Sequence, residues 1–283
     1  MITVAFGLLI GAVTSASLWV LTQRSFDAEA FRRTNYRGAE LVTSVGVLIP
    51  VTVLMAAALA RVVVAADDVI AFWDLLTAGT VVAATGFTLL GLFDDIGGVG
   101  QSGGFRGHLS SLRRGEVTSG MVKLAGGAAV GVLTVSVMQQ SNGTVVGLLR
   151  DGATVALAAN LGNLFDRAPG RAIKVTTVLF VVLAVVAWSS VLLMPAVAIG
   201  AGIGLLTVDL RERVMLGDAG ANPLGAMCGV AALVAFKDPA QRWVVVAVFL
   251  GLNLLSEVVS YSSVIDAVGP LRWLDRLGSR RTG

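Results

Sequence analysis

Charge is what this sequence has least of. Only 14% of its 283 residues are Asp, Glu, Lys or Arg, where a water-soluble chain carries about 25%. So little polar surface cannot keep a globule dissolved, which excludes a soluble domain and leaves a bilayer as the solvent. Cysteine is reduced to Cys228, which excludes an internal disulfide framework and a cysteine-rich metal site. Lying in an apolar run, Cys228 reads as a small packed hydrophobe. The single histidine is His108. The net charge of +3 resides in short loops between apolar runs, a membrane-orientation pattern; no basic patch points to nucleic acid.

What is present is long hydrophobic stretches, 55% of the chain being hydrophobic. A helix needs about 20 apolar residues to cross the hydrocarbon core. Charge-free runs cover Met1–Gln23, Leu41–Ala60, Leu75–Phe93 and Leu124–Leu149, the last with a turn at Ser141–Gly143. A short run, Ala153–Phe165, precedes Val175–Val208, which is long enough for two helices divided near Pro195. Ala219–Phe236 and Trp243–Ile265 complete the set, the last enclosing Glu257. Residues 1–21 have no basic stretch before them and read as a retained span rather than a cleaved signal. These runs predict an all-α polytopic transmembrane bundle of about nine spans over residues 1–265. Residues 266–283, with Trp273, Leu274 and Leu277 among arginines, read as a basic interfacial tail.

Arginine and lysine set the orientation. They crowd alternate loops: Arg24, Arg32, Arg33 and Arg37; then Arg106, Arg113, Arg114 and Lys123; then Arg167, Arg171 and Lys174; then Arg211 and Arg213; then the tail. Cytoplasmic loops carry that excess, so the N-terminus is expected outside and the C-terminus in the cytoplasm. Trp19, Trp73, Trp188 and Trp243 fall near span ends, as interfacial anchors or as ordinary packing residues.

Acids at membrane depth are costly and mark candidate sites. On this topology Asp94 and Asp95 close a span in GLFDD (91–95), Asp166 closes another in NLGNLFD (160–166), and Asp218 opens one in MLGDAG (215–220). Asn163 and Asp166 share a helix face. Carboxylates gathered from several helix ends suit Mg²⁺, which keeps waters for substrate phosphates. Lys123, Arg113 and Arg114 supply cations nearby, and the glycines of GDAGANPLG (217–225) let backbone approach an anion at a helix start. An aspartate at a helix start also serves as a plain cap. A pair closing a helix is less easily explained so, because negative charge disfavours a C-terminus.

Taken in order, these motifs resemble the polyprenyl-phosphate N-acetylhexosamine-1-phosphate transferase superfamily, from Arg33 to about Gly229. RRTNYRG (32–38) stands where that family has its first cytoplasmic loop. GLFDD is similar to its aspartate pair, GHLSSLRRGEVTSGMVK (107–123) to its approach to the next span, NLGNLFD to its Asn-x-x-Asn-x-x-Asp element, and MLGDAGANPLG to its Gly-Asp-x-Gly-Ser element. The resemblance implies a bacterial plasma-membrane enzyme of envelope glycan synthesis. Such an enzyme moves a sugar-1-phosphate from a UDP-sugar to a polyprenyl phosphate, releases UMP and uses Mg²⁺. It implies Asp218 as principal metal ligand, Asp94 and Asp95 at the metal or lipid phosphate, and Asp166, Asn163 and Asn160 near the nucleotide. Lys123 is implied as the cation beside them. A homodimer is compatible with it.

The chain also departs from that family. DRAPGRAIK (166–174) has Pro169 where a second aspartate is expected, and Arg167, Arg171 and Lys174 are then candidate phosphate binders, or simple positive-inside residues. ELVTSVG (40–46) keeps only Gly46 of a glycine-rich element, and a late histidine cluster and the last span are missing. His108 is a candidate for substrate contact or proton transfer, or a solvated loop residue. Two readings follow: an active transferase, or a degenerate relative that binds lipid phosphate or a partner protein without catalysis. An ion-coupled transporter fits less well, because it calls for acids in mid-span, where only Glu257 is expected.

Overall fold

Hydrocarbon offers no water to a backbone amide, so a chain immersed in it closes its hydrogen bonds within helices. The computed structural model describes residues 1–35, 37–63, 71–97, 119–139 and 143–279, and among these the chain forms eleven α-helices and one small hairpin. In order they are α1 Ile2–Thr22, the antiparallel strands β1 Arg32–Thr34 and β2 Glu40–Val42, α2 Leu48–Val63, α3 Ala71–Gly97, α4 Ser119–Met138 and α5 Val145–Leu164. There follow α6 Arg171–Ala187, α7 Leu193–Leu210, α8 Asp218–Ala235, α9 Pro239–Leu255, α10 Tyr261–Ala267 and α11 Gly269–Arg276. Among the described residues, six segments, containing α1, α2, α3, α4, α5 and α7, are long and apolar enough to cross a membrane. The chain is therefore an all-α, multi-pass membrane bundle.

The centre of the bundle is α8. Every residue from Ala219 to Val234 is buried, among them Cys228, packed as expected from its apolar run. Helices α3, α5, α6 and α7 pack round it, while α1 lies along α7 and α9 along α5. Pro223 sits inside α8 and has no amide to give the carbonyl four residues back, that of Ala219. Thr88 of α3 supplies the missing donor: its hydroxyl bonds Ala219 O at 2.9 Å. Thr88→Val is expected to cost about 1–3 kcal/mol, the price of a buried acceptor left unpaired. Thermal unfolding in detergent measures it. The loss should shrink in a Pro223→Ala background, where the helix recovers its own donor.

Several sequence boundaries move. The run Leu124–Leu149 ends as a helix at Met138, and the short fifth span is a full helix, Val145–Leu164, that passes straight through Arg150 and Asp151. Both side chains are buried, and charge pairing makes this tolerable. Arg150 Nε lies 2.7 Å from Asp151 Oδ1, and Arg242 of α9 grips the other oxygen. Arg242 also donates to Phe236 O (2.9 Å) and Leu233 O (3.0 Å), closing the C-terminal end of α8. The last expected span stops at Leu255, so Glu257 lies in the turn beyond it, exposed rather than within a helix. Val175–Val208 does divide in two, at Trp188–Leu192, with Pro195 in the first turn of α7.

Candidate functional site

Two short loops bring distant helix ends together. Met215 N donates to Val42 O (2.7 Å) and Gly46 N to Leu216 O (3.0 Å), zipping the approach to α2 against the approach to α8. Beside this seam, α3 ends on Asp94 and Asp95. A carboxylate is unfavourable at a helix C-terminus, and Asp95 is compensated by serving another helix. It accepts from the amides of Asp218 (3.0 Å) and Ala219 (3.1 Å), the N-terminal amides of α8, and from the Ser44 hydroxyl (2.8 Å). Arg33 of β1 donates to the carbonyls of Asp95 (3.0 Å) and Ile96 (2.9 Å), closing the end of α3.

The glycines of the motifs follow from this contact. Gly217 has φ 73°, and a Cβ there would stand 2.5 Å from Asp95 Oδ2. A Cβ at Gly91 would lie 2.3 Å from the backbone of Asp218. Only glycine lets α3 and the start of α8 approach so closely.

Asp218, pinned through its amide, turns its carboxylate outward. Asn163 of α5 donates to Asp218 Oδ2 at 2.7 Å. The Lys123 ammonium, from α4, bonds the same oxygen and lies 3.4 Å from Asp94 Oδ2. Lys123, Asp94 and Asp218 each keep between 21 and 28% of their side-chain surface exposed, so the cluster opens to solvent. Asp166 lies in the turn after α5, beside Gly217. Burial, with the negative charges of Asp209, Asp218 and Asp95 around it, pushes its carboxyl well above the usual carboxylate range. A group raised in this way is most compatible with the fold when protonated, and the fold loses stability as pH rises through the elevated value. Asp166→Asn is therefore expected to gain thermal stability over the wild type, in EDTA, as pH is raised from 4 to 8. A pH-independent difference would contradict that environment.

The structure thus brings together Asp94, Asp95, Asp166, Asp218, Asn163 and Lys123. Other expected site residues go elsewhere. Asn160 bonds Asn253 of α9 at 2.6 Å. Arg167 is exposed. Arg171 is buried in a two-pronged ion pair with Asp275 (2.7 and 2.9 Å), and Lys174 donates to the carbonyls of Leu274, Asp275 and Leu277. Both are spent on holding the tail rather than facing the acids. His108 and the arginines 106, 113 and 114 lie outside the described residues. Asp95, expected at the metal or lipid phosphate, accepts from Ser44 and the α8 amides on its two oxygens.

Two contributors escaped the motif reading. Asp209, at the end of α7, accepts from Gly170 N (2.7 Å) and Leu216 N (3.3 Å), joining the loops that carry Asp166 and Asp218. Its signal was there: an acid at the end of an apolar run, the criterion that selects Asp94. Ser44 lies within ELVTSVG (40–46), and its hydroxyl donates to Asp95.

Among the described residues, no three His, Cys, Asp or Glu side chains converge to hold a metal unaided. Two carboxylates do face one cation, the Lys123 ammonium, which stands between Asp94 and Asp218. Mg²⁺ is commonly held by one or two carboxylates, its other positions going to water and substrate phosphates, so the donor set fits it. No family model and no curated protein matches the sequence.

Proposed function

We propose that this chain is a Mg²⁺-dependent polyprenyl-phosphate sugar-1-phosphate transferase, spanning a bacterial plasma membrane nine times through α1–α9 with the acidic end in the cytoplasm. The observation that carries this reading is the pair of outward carboxylates, Asp94 and Asp218, sharing one cation at the end of an apolar bundle. Phosphate chemistry at a membrane face needs that feature. A lipid phosphate oxygen would attack the β-phosphorus of a UDP-sugar, and the bond to the bridging oxygen would break with its electron pair leaving on UMP. A bound Mg²⁺, held by Asp94 and Asp218, would supply charge withdrawal from the diphosphate. Asn163 orients Asp218, and Asp95 anchors its backbone. Lys123 offers a cation to the phosphates. The lipid phosphate is ionised near neutral pH, so positioning matters more than a base.

One observation favours the non-catalytic alternative, a binder of lipid phosphate or of a partner protein. Lys123 already bridges the two outward carboxylates, setting its ammonium where a metal would sit. The test is purified protein with undecaprenyl phosphate, Mg²⁺ and a panel of UDP-sugars, scored for UMP release. Release with any sugar supports the transferase. Retained lipid-phosphate binding with no release supports the alternative.

A further inference from the structure

Away from the acid cluster, the C-terminal helix α11 carries chemistry that the transferase reading does not use. Eight residues are too few to hold a helix by themselves, and α11 is fixed by a clamp. Arg171 grips Asp275 with two nitrogens and Ser262 Oγ with a third (2.7 Å), while Lys174 bonds three carbonyls at its C-terminal end. Asp275 is the one buried residue of the helix. Leu271, Trp273, Leu274 and Leu277 are all exposed. Further exposed apolar side chains precede them along the chain: Leu254 and Leu255 of α9, then Val258, Val264 and Val268.

Between these α11 side chains lies a groove of about 480 Å³ lined by Gly269, Arg272, Trp273, Arg276, Leu277 and Gly278. Arg272 gives one nitrogen to Asp266 O (3.2 Å), and Arg276 stands 4.0 Å from the Asp266 carboxylate. A guanidinium has five donors, so this single acid does not exhaust the pair. Arg280 and Arg281 add further positive charge in the sequence.

We propose that this groove binds the phosphate of an acidic phospholipid headgroup. Paired guanidiniums match a phosphodiester in charge and fork geometry. An exposed tryptophan and three leucines beside them suit the boundary between headgroup and acyl chain. A free anion would need the arginines but not the apolar rim; a lipid uses both. The clamp on α6 keeps the groove at the acid-bearing end of the bundle, so lipid site and acid cluster share one membrane face. The inference does not depend on transferase activity.

Native mass spectrometry of the full chain in detergent, titrated with phosphatidylglycerol or phosphatidylcholine, tests it. Phosphatidylglycerol adducts should persist where phosphatidylcholine is stripped, and Arg272→Ala/Arg276→Ala should weaken them at least tenfold. Arg211→Ala/Arg213→Ala, a charge control, should leave them unchanged. Quenching of Trp273 by brominated phosphatidylglycerol, read as wild type minus Trp273→Phe, reports on the groove with the arginines intact. Equal retention of the two lipids, equal loss in the control variant, absence of quenching, or displacement by millimolar inorganic phosphate would each overturn the assignment.

Discussion

Asp218→Asn is expected to lower UMP release on the order of 10³-fold, the scale at which loss of one preorganised electrostatic group slows a reaction, while the thermal midpoint stays close to that of the wild type. The two halves of that expectation rest on different atoms. The fold uses the Asp218 amide, which bonds Asp95 and survives the substitution. The proposed chemistry would use the carboxylate, which faces Lys123 and Asn163 and is partly open to solvent. Asparagine keeps the shape and removes the charge that holds a cation. Asp95→Asn should behave differently. Its oxygens accept from Ser44 and two amides of α8, so it should lower stability along with activity. Comparing UMP release and unfolding midpoint for the two variants separates a ligand from an anchor. If Asp218→Asn released UMP at the wild-type rate, the proposed reaction would fail while the fold stood.

The same division between carboxylate and backbone explains what could be read from sequence. Asp94, Asp95, Asp218 and Asn163 were legible because each stands at the end of an apolar run, where an acid or amide has no reason to be unless something polar meets it. Lys123 was legible as a cation opening α4. The roles within the set were not legible, because they depend on which oxygen meets which amide across 123 residues, as between Asp95 and Asp218. Arg171 and Lys174 misled for a related reason. A base after a span looks alike whether it faces phosphate or a tail aspartate 104 residues on. The tail itself, expected from residue 266, is two helices beginning at Tyr261, whose ring stacks on Phe165 at 5.2 Å. Thr88 could not be paired with Pro223 from either local sequence. Hydropathy located the bundle well because it counts residues one at a time, and it failed at α5, where a buried charge is acceptable only through its partner on another helix.

That failure identifies the largest stability effect. Asp151→Ala is expected to destabilise the bundle by about 3–5 kcal/mol, the cost of removing one member of a buried ion pair, and to lower expression in the membrane. Asp151 is fully buried, with Arg150 on one oxygen and Arg242 on the other. Its loss removes a negative charge from beside two guanidiniums. Arg150 retains only a long bond to Pro239 O (3.3 Å) and the face of Trp243, 5.6 Å from the ring centroid. Arg242 keeps its carbonyl contacts at the end of α8 but loses its counter-charge. The triple variant Asp151→Leu/Arg150→Leu/Arg242→Met should recover part of the loss, since apolar replacement of a whole buried cluster is often neutral or stabilising, the remainder being the Leu233 and Phe236 carbonyls that lose Arg242. The site lies at the opposite end of α5 from Asn163, about 20 Å along the helix at 1.5 Å per residue. The triple variant should therefore fold with Asp94, Asp95 and Asp218 undisturbed and retain whatever activity the acid cluster has. Thermal midpoints of the three proteins in one detergent decide it. A single Asp151→Ala variant as stable as the wild type would contradict the argument that Asp151 compensates buried positive charge.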